Sequence, residues 1–149
     1  MEKMKIYLDN CSFNRPFDDQ SQIRIRLEAE AKLYIQENIK NGFFQLIWSY
    51  ILAFENMHNP FEERKNAIQK WREIAGNIVE ESSTVLKRAE EFLILGLKAK
   101  DALHLACAVE GQAEYFLTTD DLILKKLSSC TDIRAINPIE FLKIMEEMT

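Results

Sequence analysis

The fold is decided by the stretch Lys5-Ile6-Tyr7-Leu8-Asp9, in which a short apolar run ends on a carboxylate. Residues 4–8 predict a buried strand, with the acid at its carboxyl end. The stretch Tyr115-Phe116-Leu117-Thr118-Thr119-Asp120 repeats this pattern with a strand over 115–118. Carboxylates are rarely buried without a partner, because removing the charge from water costs several kcal/mol. Two acids placed in this way therefore indicate a site at one edge of a sheet.

Two further acids sit beside apolar runs: Glu55 follows residues 51–54, and Asp101 opens residues 102–109. Each acid also has a plain explanation when it is taken alone. Asp9 could cap a turn, Glu55 could face solvent, and Asp101 could complement a helix dipole. Asp120 could cap a short helix. Of the 24 acids in the chain, most of the other 20 lie in polar helical stretches where a solvated face is explanation enough.

The periodicity of the chain predicts alternating strands and helices. Residues 10–20 are predicted as a polar loop, and Ser49 as the N-cap of the helix that carries Glu55. A helix from about 21 to 39 is predicted from the helical spacing of six apolar residues: Ile23, Leu27, Ala31, Tyr34, Ile35 and Ile39. The alternation predicts a single α/β domain over residues 1–149, with a central parallel sheet between two helical layers. Ligands of such sheets bind at the carboxyl ends of the strands, so all four acids could converge on one rim.

Composition sets the class of protein. The chain has 149 residues, of which 47% are hydrophobic, with four Gly and three Pro, and this is typical of a globular domain. No apolar stretch approaches the ~20 residues of a membrane span, and no secretory core follows the first Met, so we expect a cytoplasmic protein without a membrane partner. The net charge of −5 argues against a general polyanion-binding surface. It does not exclude a nuclease, because a bound metal inverts the local charge of an acidic pocket.

Convergence of the four acids would predict a metal site. Two carboxylates 4 Å apart repel by about 4 kcal/mol at an effective dielectric constant of 20. A hard divalent cation such as Mg²⁺ or Mn²⁺ removes this repulsion, since it prefers oxygen ligands. Such ions serve phosphoryl chemistry. The chain has no glycine-rich phosphate loop, so nucleotide hydrolysis by a P-loop route is not supported.

Four segments of the chain together resemble a PIN domain over about residues 4–140: Ile6-Tyr7-Leu8-Asp9, Glu55 on an early helix, Lys100-Asp101-Ala102-Leu103-His104-Leu105-Ala106, and Leu117-Thr118-Thr119-Asp120. The resemblance implies a three-layer α/β/α fold and a Mg²⁺- or Mn²⁺-dependent ribonuclease. Many members are VapC-like toxins of type II toxin–antitoxin modules. The resemblance thus implies an RNA substrate, an antitoxin partner and a homodimer.

The same resemblance assigns roles to individual residues. The catalytic, metal-binding set would be the four acids Asp9, Glu55, Asp101 and Asp120. Thr118 would be a supporting hydroxyl, and Asp121 an outer acid or a helix cap. The family often has a Thr-Asn or Thr-Ser pair after the first acid, whereas this chain has Asn10-Cys11-Ser12, so that Asn10 or Ser12 would supply the missing polar contact. This departure supports the alternative of a non-catalytic PIN-like module that binds RNA or protein.

Several other residues admit two interpretations. His104 shares a helix face with Asp101 and could be a general base, but its apolar surroundings favour a buried histidine. Lys98 and Lys100, together with Arg15, could contact RNA phosphates, or they could be solvated charges. Phe13 and Phe17 could contact a substrate or a partner, or they could pack in the core. Cys107 lacks an oxyanion-hole motif, which favours a buried thiol.

Overall fold

The computed structural model describes residues 3–148. Within this range five parallel strands form one sheet in the order β3-β2-β1-β4-β5. The strands, in chain order, are β1 Met4–Leu8, β2 Phe44–Ser49, β3 Asn77–Val79, β4 Tyr115–Leu117 and β5 Arg134–Ile136.

Helices connect the strands and cover the sheet. They are α1 Asn10–Asn14, α2 Ile23–Lys40, α3 Tyr50–Met57, α4 Glu62–Gln69, α5 Trp71–Ile74, α6 Ser83–Ile94, α7 Ala99–Glu110, α8 Asp121–Lys126 and α9 Pro138–Glu147, with a 3-10 turn at Arg15–Phe17. On the sheet, α2 packs against α9 and α6 packs against α7. The three-layer α/β/α fold expected from the sequence is therefore confirmed.

The central strands are buried on both faces, which is the condition of a parallel sheet between helical layers. In β1, the side chains of Ile6, Tyr7 and Leu8 have no exposed surface. In β4, Phe116 and Leu117 are equally buried, and the rings of Tyr7 and Phe116 stack with centroids 5.3 Å apart. The continuous apolar runs therefore pair as neighbouring central strands.

The strand order reverses between β1 and β4, because β2 and β3 lie on one side of β1 whereas β5 lies beyond β4. Open α/β sheets bind ligands at such a point, outside the carboxyl ends of the strands. The register pairs Leu8 with Leu117, and the Asp9 amide donates to the Leu117 carbonyl at 3.2 Å. The reversal thus sets Asp9 beside Thr118.

Two sequence-based expectations are wrong. Residues 10–14 form helix α1 instead of a loop, because the Asp9 carboxylate caps it by accepting from the Ser12 amide at 2.9 Å. The core face of α2 is also shifted. Ile23 is 71% exposed and Tyr34 is 57% exposed, whereas the buried face includes the polar side chains of Glu28, Lys32 and Gln36.

Among residues 3–148 there is no helix with the length and apolar character needed to span a membrane.

Candidate active site

Asp9 is held at the carboxyl end of β1 and is 5% exposed. Its Oδ1 accepts from the Ser12 amide at 2.9 Å, and the Cys11 thiol lies 2.9 Å from Oδ1 and 3.1 Å from Oδ2. Burial raises the pKa of Asp9, and the hydrogen bonds from Cys11, Thr118 and Ser12 oppose that rise. This carboxylate is therefore fixed in position and its negative charge is only partly compensated.

Asp120 follows β4 and begins α8 as its N-cap. Its Oδ1 accepts from the amides of Leu122 at 2.9 Å and Ile123 at 3.3 Å, while its own amide donates to the Thr118 hydroxyl at 3.1 Å. Thr118 is fully buried between the ends of β1 and β4. Both cap bonds end on the same oxygen, so the hydrogen bonds that fix Asp120 leave its second oxygen open.

Glu55 lies in α3, whose first turn is capped by Ser49 as the sequence predicts. Its Oε1 forms an ion pair and hydrogen bond with Nε2 of His104, which is 2% exposed. Burial alone would raise the pKa of Glu55, but the hydrogen bond and charge of His104, with contributions from Lys100 and Asn10, hold it below its ordinary value. Glu55 therefore faces the rim as a carboxylate.

His104 is itself held by a buried chain of hydroxyl groups. The Tyr7 hydroxyl lies 2.6 Å from His104 Nδ1 and 2.6 Å from Ser49 Oγ. Both ring nitrogens of the histidine are thus occupied. His104 is therefore a buried histidine whose two ring nitrogens contact Tyr7 and Glu55, as its apolar surroundings in the sequence predict.

Asp101 lies in the first turn of α7 and is half-buried. Within the part of the chain that the structure describes, its carboxylate has no hydrogen-bond or ion-pair partner. Burial raises its pKa, as do the negative charges of Asp120, Asp9 and Glu55, and His104 lowers it. Asp101 is thus the least compensated acid of the group.

The four acids line one cavity of about 290 Å³, which we call the acidic pocket. It is also lined by Asn10, Cys11, Asn14, Arg15, Asp18 and His104. Carboxylate and amide oxygens are the ligands that Mg²⁺ and Mn²⁺ prefer. No three His, Cys, Asp or Glu side chains between residues 3 and 148 are grouped as a preformed metal site. The donor chemistry fits a hard cation, and hydrogen bonds hold three of the four carboxylates, those of Asp9, Glu55 and Asp120.

Of the residues considered for RNA contact or as an outer acid, Arg15 and Asp121 are held in ion pairs and Lys98 and Lys100 are not held in any within residues 3–148. Arg15 is held from several sides, since its guanidinium donates to Thr119 Oγ1 at 2.7 Å and to Asp18 at 3.2 Å. Asp121 pairs with Arg24 at 2.6 Å, and this ion pair holds the pKa of Asp121 below its ordinary value. Lys98 and Lys100 are exposed.

One buried acid was missed at the sequence level. Glu28 of α2 has no exposed surface and contacts Arg15 at 3.2 Å, Arg24 at 3.1 Å and the Asn137 amide at 2.6 Å. The approach of Arg15 Nε is an ion pair without hydrogen-bond geometry. Arg24 lies four residues before Glu28, and that spacing was the one local signal.

Comparison with known proteins connects this fold to two solved structures. A chain of the crystal structure of VapBC2 from Rickettsia felis, bound to a DNA fragment from their promoter, matches with a TM-score of 0.55 and 13% identity; the match covers 90% of this chain and 98% of that one. A chain of VapBC-1 from nontypeable Haemophilus influenzae matches with a TM-score of 0.57 and 15% identity, covering 91% and 98%.

No family model matches the sequence, and no curated protein matches it. At 13% and 15% identity the two structural matches support a shared fold and no further conclusion. They agree with the five-stranded parallel sheet and its helical layers. The chain therefore shares the fold of a chain in each of these two VapBC structures, and this agrees with the three-layer PIN-like fold expected from the sequence.

Proposed function

We propose that the chain is a Mg²⁺- or Mn²⁺-dependent endoribonuclease that hydrolyses RNA phosphodiester bonds, and that it serves as the toxin of a type II toxin–antitoxin module. The observation that carries the proposal is the acidic pocket, in which the Asp101 carboxylate has no partner among residues 3–148 and faces three other acids. Such a charge arrangement favours a divalent cation and, through it, a phosphate.

Some residues of the acidic pocket would bind the cation, and others would position those residues or the substrate. Asp9, Asp101 and Asp120 would supply oxygen ligands, with Glu55 held toward them by His104. When bound, the metal would lower the pKa of a water molecule and neutralise charge on the scissile phosphate. Thr118 fixes the Asp120 backbone through its hydroxyl. Asn10 lines the pocket beside Glu55 and would orient a polar group of the substrate.

The partners of this chain follow from the same proposal. The structures with matching chains are VapBC complexes, one of them bound to promoter DNA, and this supports an antitoxin partner. A homodimer and a cytoplasmic location belong to the same hypothesis. Asp121 would act as a helix-terminal charge, because its carboxylate is already paired with Arg24 outside the pocket.

Cleavage of RNA by purified protein with Mn²⁺ tests the proposal. We expect Asp9→Asn and Asp101→Asn to reduce the rate at least about 100-fold, because each removes a charged oxygen from the cation site. The matched control is Asp132→Asn, whose carboxylate is 55% exposed and pairs with Arg88 away from the pocket. Equal rates for Asp101→Asn and the control would refute the proposed site.

The non-catalytic alternative has one observation in its favour: Cys11 occupies the site where a second hydroxyl or amide would be expected, and its thiol contacts Asp9. Calorimetric titration with Mn²⁺ separates the two. Absence of binding up to millimolar Mn²⁺ would favour a module that binds RNA or protein without cleavage.

A further inference from the structure

A second hollow opens directly beside the acidic pocket, between α3 and the start of α4. Its volume is about 580 Å³, within the range of about 300–1,000 Å³ typical of small-molecule sites. We call it the aromatic cleft and define it by its side chains that carry rings or positive charge, Phe54, His58, Phe61, Arg64 and Lys100. None of these side chains belongs to the acidic set.

The cleft presents π surfaces to solvent. Phe54 is 48% exposed and Phe61 is 55% exposed, although both are large apolar rings. The Phe54 ring lies against the His58 ring, with centroids 4.7 Å apart. The Arg64 guanidinium carbon lies 4.3 Å from the Phe61 centroid. Aromatic and guanidinium planes are the surfaces on which unstacked nucleobases pack.

The cleft and the acidic pocket are continuous. Asn10, Asn14 and Glu55 line both of them. A chain whose phosphate lies at the acids would therefore place its neighbouring unit in the cleft. Lys100 lines the cleft, and its charge acts on Glu55, which lines both cavities. No ion pair holds Lys100 within residues 3–148, so its ammonium is available to a phosphate.

On the basis of the proposed function, we propose that the aromatic cleft binds one unpaired nucleobase adjoining the scissile phosphate. Stacking on Phe61 and Phe54 would hold the base by its face, which is tolerant of sequence. The side-chain amides of Asn10, Asn14 and Asn59 would be available to its edge. A base inside a duplex cannot reach this surface without leaving its stack.

Fluorescence anisotropy with labelled single-stranded RNA of about 12 nucleotides tests the proposal, a length within the usual range of single-strand sites. Oligo(A), oligo(U) and oligo(C) are each titrated into protein that carries Asp101→Asn, without divalent ions, so that no strand is cut. In this background we expect Phe61→Ala and Phe54→Ala each to raise Kd at least about fivefold. Phe61→Tyr should bind as the parent does, because it keeps the ring.

Phe43→Ala is the matched control. Phe43 is 46% exposed, close to the two cleft residues, but it precedes β2 at the opposite end of the sheet. Thermal melts of all variants identify any loss of fold. Phe61→Leu keeps the apolar volume but removes the ring, so its Kd should rise as that of Phe61→Ala does. An oligonucleotide with abasic positions should bind as weakly to the parent as the intact strand binds to Phe61→Ala.

The proposal is overturned if Phe61→Ala and Phe43→Ala have equal Kd values, if the abasic strand binds as tightly as the intact one, or if the parent binds none of the strands. It is also overturned if an RNA duplex binds as tightly as the single strand. The function proposed above fails separately, through cleavage that does not depend on Asp9 or Asp101. If the protein does not cleave RNA but its binding still depends on the rings of the cleft, the chain is a protein that binds single strands without cutting them.

Discussion

The site of Glu28 and the acidic pocket hold carboxylates in opposite ways. Glu28 is completely buried, and two arginines and the Asn137 amide surround its carboxylate. In the acidic pocket, Asp101 meets three other carboxylates, and no side chain within residues 3–148 pairs with it. Arginines of the chain pair with Glu28 in the helical layer, whereas no cationic side chain of residues 3–148 pairs with Asp101 at the rim.

The difference distinguishes an acid that supports the fold from an acid that is available to a ligand. A buried charge is tolerated when partners compensate for its lost hydration, and removing one partner of such a group is strongly destabilising. Acids that repel one another at the surface reduce stability until a cation binds. The two sites should therefore respond to substitution in opposite directions.

The largest effect is expected for Glu28→Gln. The substitution leaves the charges of Arg15 and Arg24 without their shared carboxylate, and we expect the free energy of unfolding to fall by about 3 kcal/mol. Urea denaturation measures it. Glu91→Gln is the control, since Glu91 is 65% exposed and pairs with a single arginine. A loss below that of the control would contradict the account of Glu28.

Lys32 is a buried cation on the same helix as Glu28, and it extends the comparison to a positive charge. It lies one helical turn after Glu28 and is 3% exposed. Among residues 3–148 its ammonium contacts only the Phe13 carbonyl, at 3.4 Å, and the Phe13 ring. Burial lowers its pKa from 10.5 to about 7. The unfolded chain therefore binds more protons between these values, and stability should rise as the pH rises from about 7 to about 10.5.

Replacement of Lys32 by Met should accordingly raise the free energy of unfolding at pH 6 by about 2–3 kcal/mol, because it removes a buried charge that no carboxylate of residues 3–148 pairs with. The pH dependence above pH 7 should become flatter than that of the parent. Urea denaturation at several pH values measures both effects. Loss of stability at pH 6 would show that the ammonium is solvated or paired in solution.

Tyr7→Phe tests the chain of hydroxyl groups behind Glu55. The change leaves the ring packing on Phe116 and removes the contacts to His104 and Ser49, and we expect a loss of about 1–2 kcal/mol. Cleavage should weaken as well, because His104 is then free to turn away from Glu55. Tyr115→Phe is the control, because the Tyr115 hydroxyl accepts from Arg134 at 3.2 Å and does not belong to the hydrogen-bonded chain of Ser49, Tyr7 and His104. Parallel losses in both variants would argue against a positioning role.

The smallest effect on stability is expected for Asp101→Asn without metal. Burial and the neighbouring acids raise the pKa of Asp101 above its ordinary 3.8 in the folded chain. Folded protein therefore binds more protons, and this group lowers stability as the pH rises through and above 3.8. The variant should gain about 0.5–1 kcal/mol at pH 7 in chelator, measured by urea denaturation. A loss of stability would mean that Asp101 is paired in solution.

The sequence was sufficient for the sheet and for the placement of the acids. Apolar runs at 4–8 and 115–118 predicted central strands, and the carboxyl-end rule brought Asp9 and Asp120 to one rim. Ser49 was identified as a cap because a capping hydroxyl acts within one turn of its own residue. Features of this kind depend on neighbouring residues in the chain, and such local patterns can be predicted from a single sequence.

What the sequence could not provide depends on contacts between distant residues. Glu28 looked like a solvated helix charge, because its partners Arg15 and Asn137 come from other elements. Similarly, Ile23 and Tyr34 were placed on the core face of α2, but the face that turns inward is set by packing on α9 and the 3-10 turn. Helix α1 has a polar sequence and depends on the Asp9 cap.

The central claim is that the acidic pocket is a divalent-cation site whose acids destabilise the metal-free chain. Calorimetric titration of Mn²⁺ into the wild-type chain, the Asp101→Asn variant and the Glu28→Gln variant tests it most directly. We predict one saturable site in the wild type and in folded Glu28→Gln, with affinity reduced at least about tenfold in Asp101→Asn. Equal Mn²⁺ affinity in the wild type and Asp101→Asn would contradict the account.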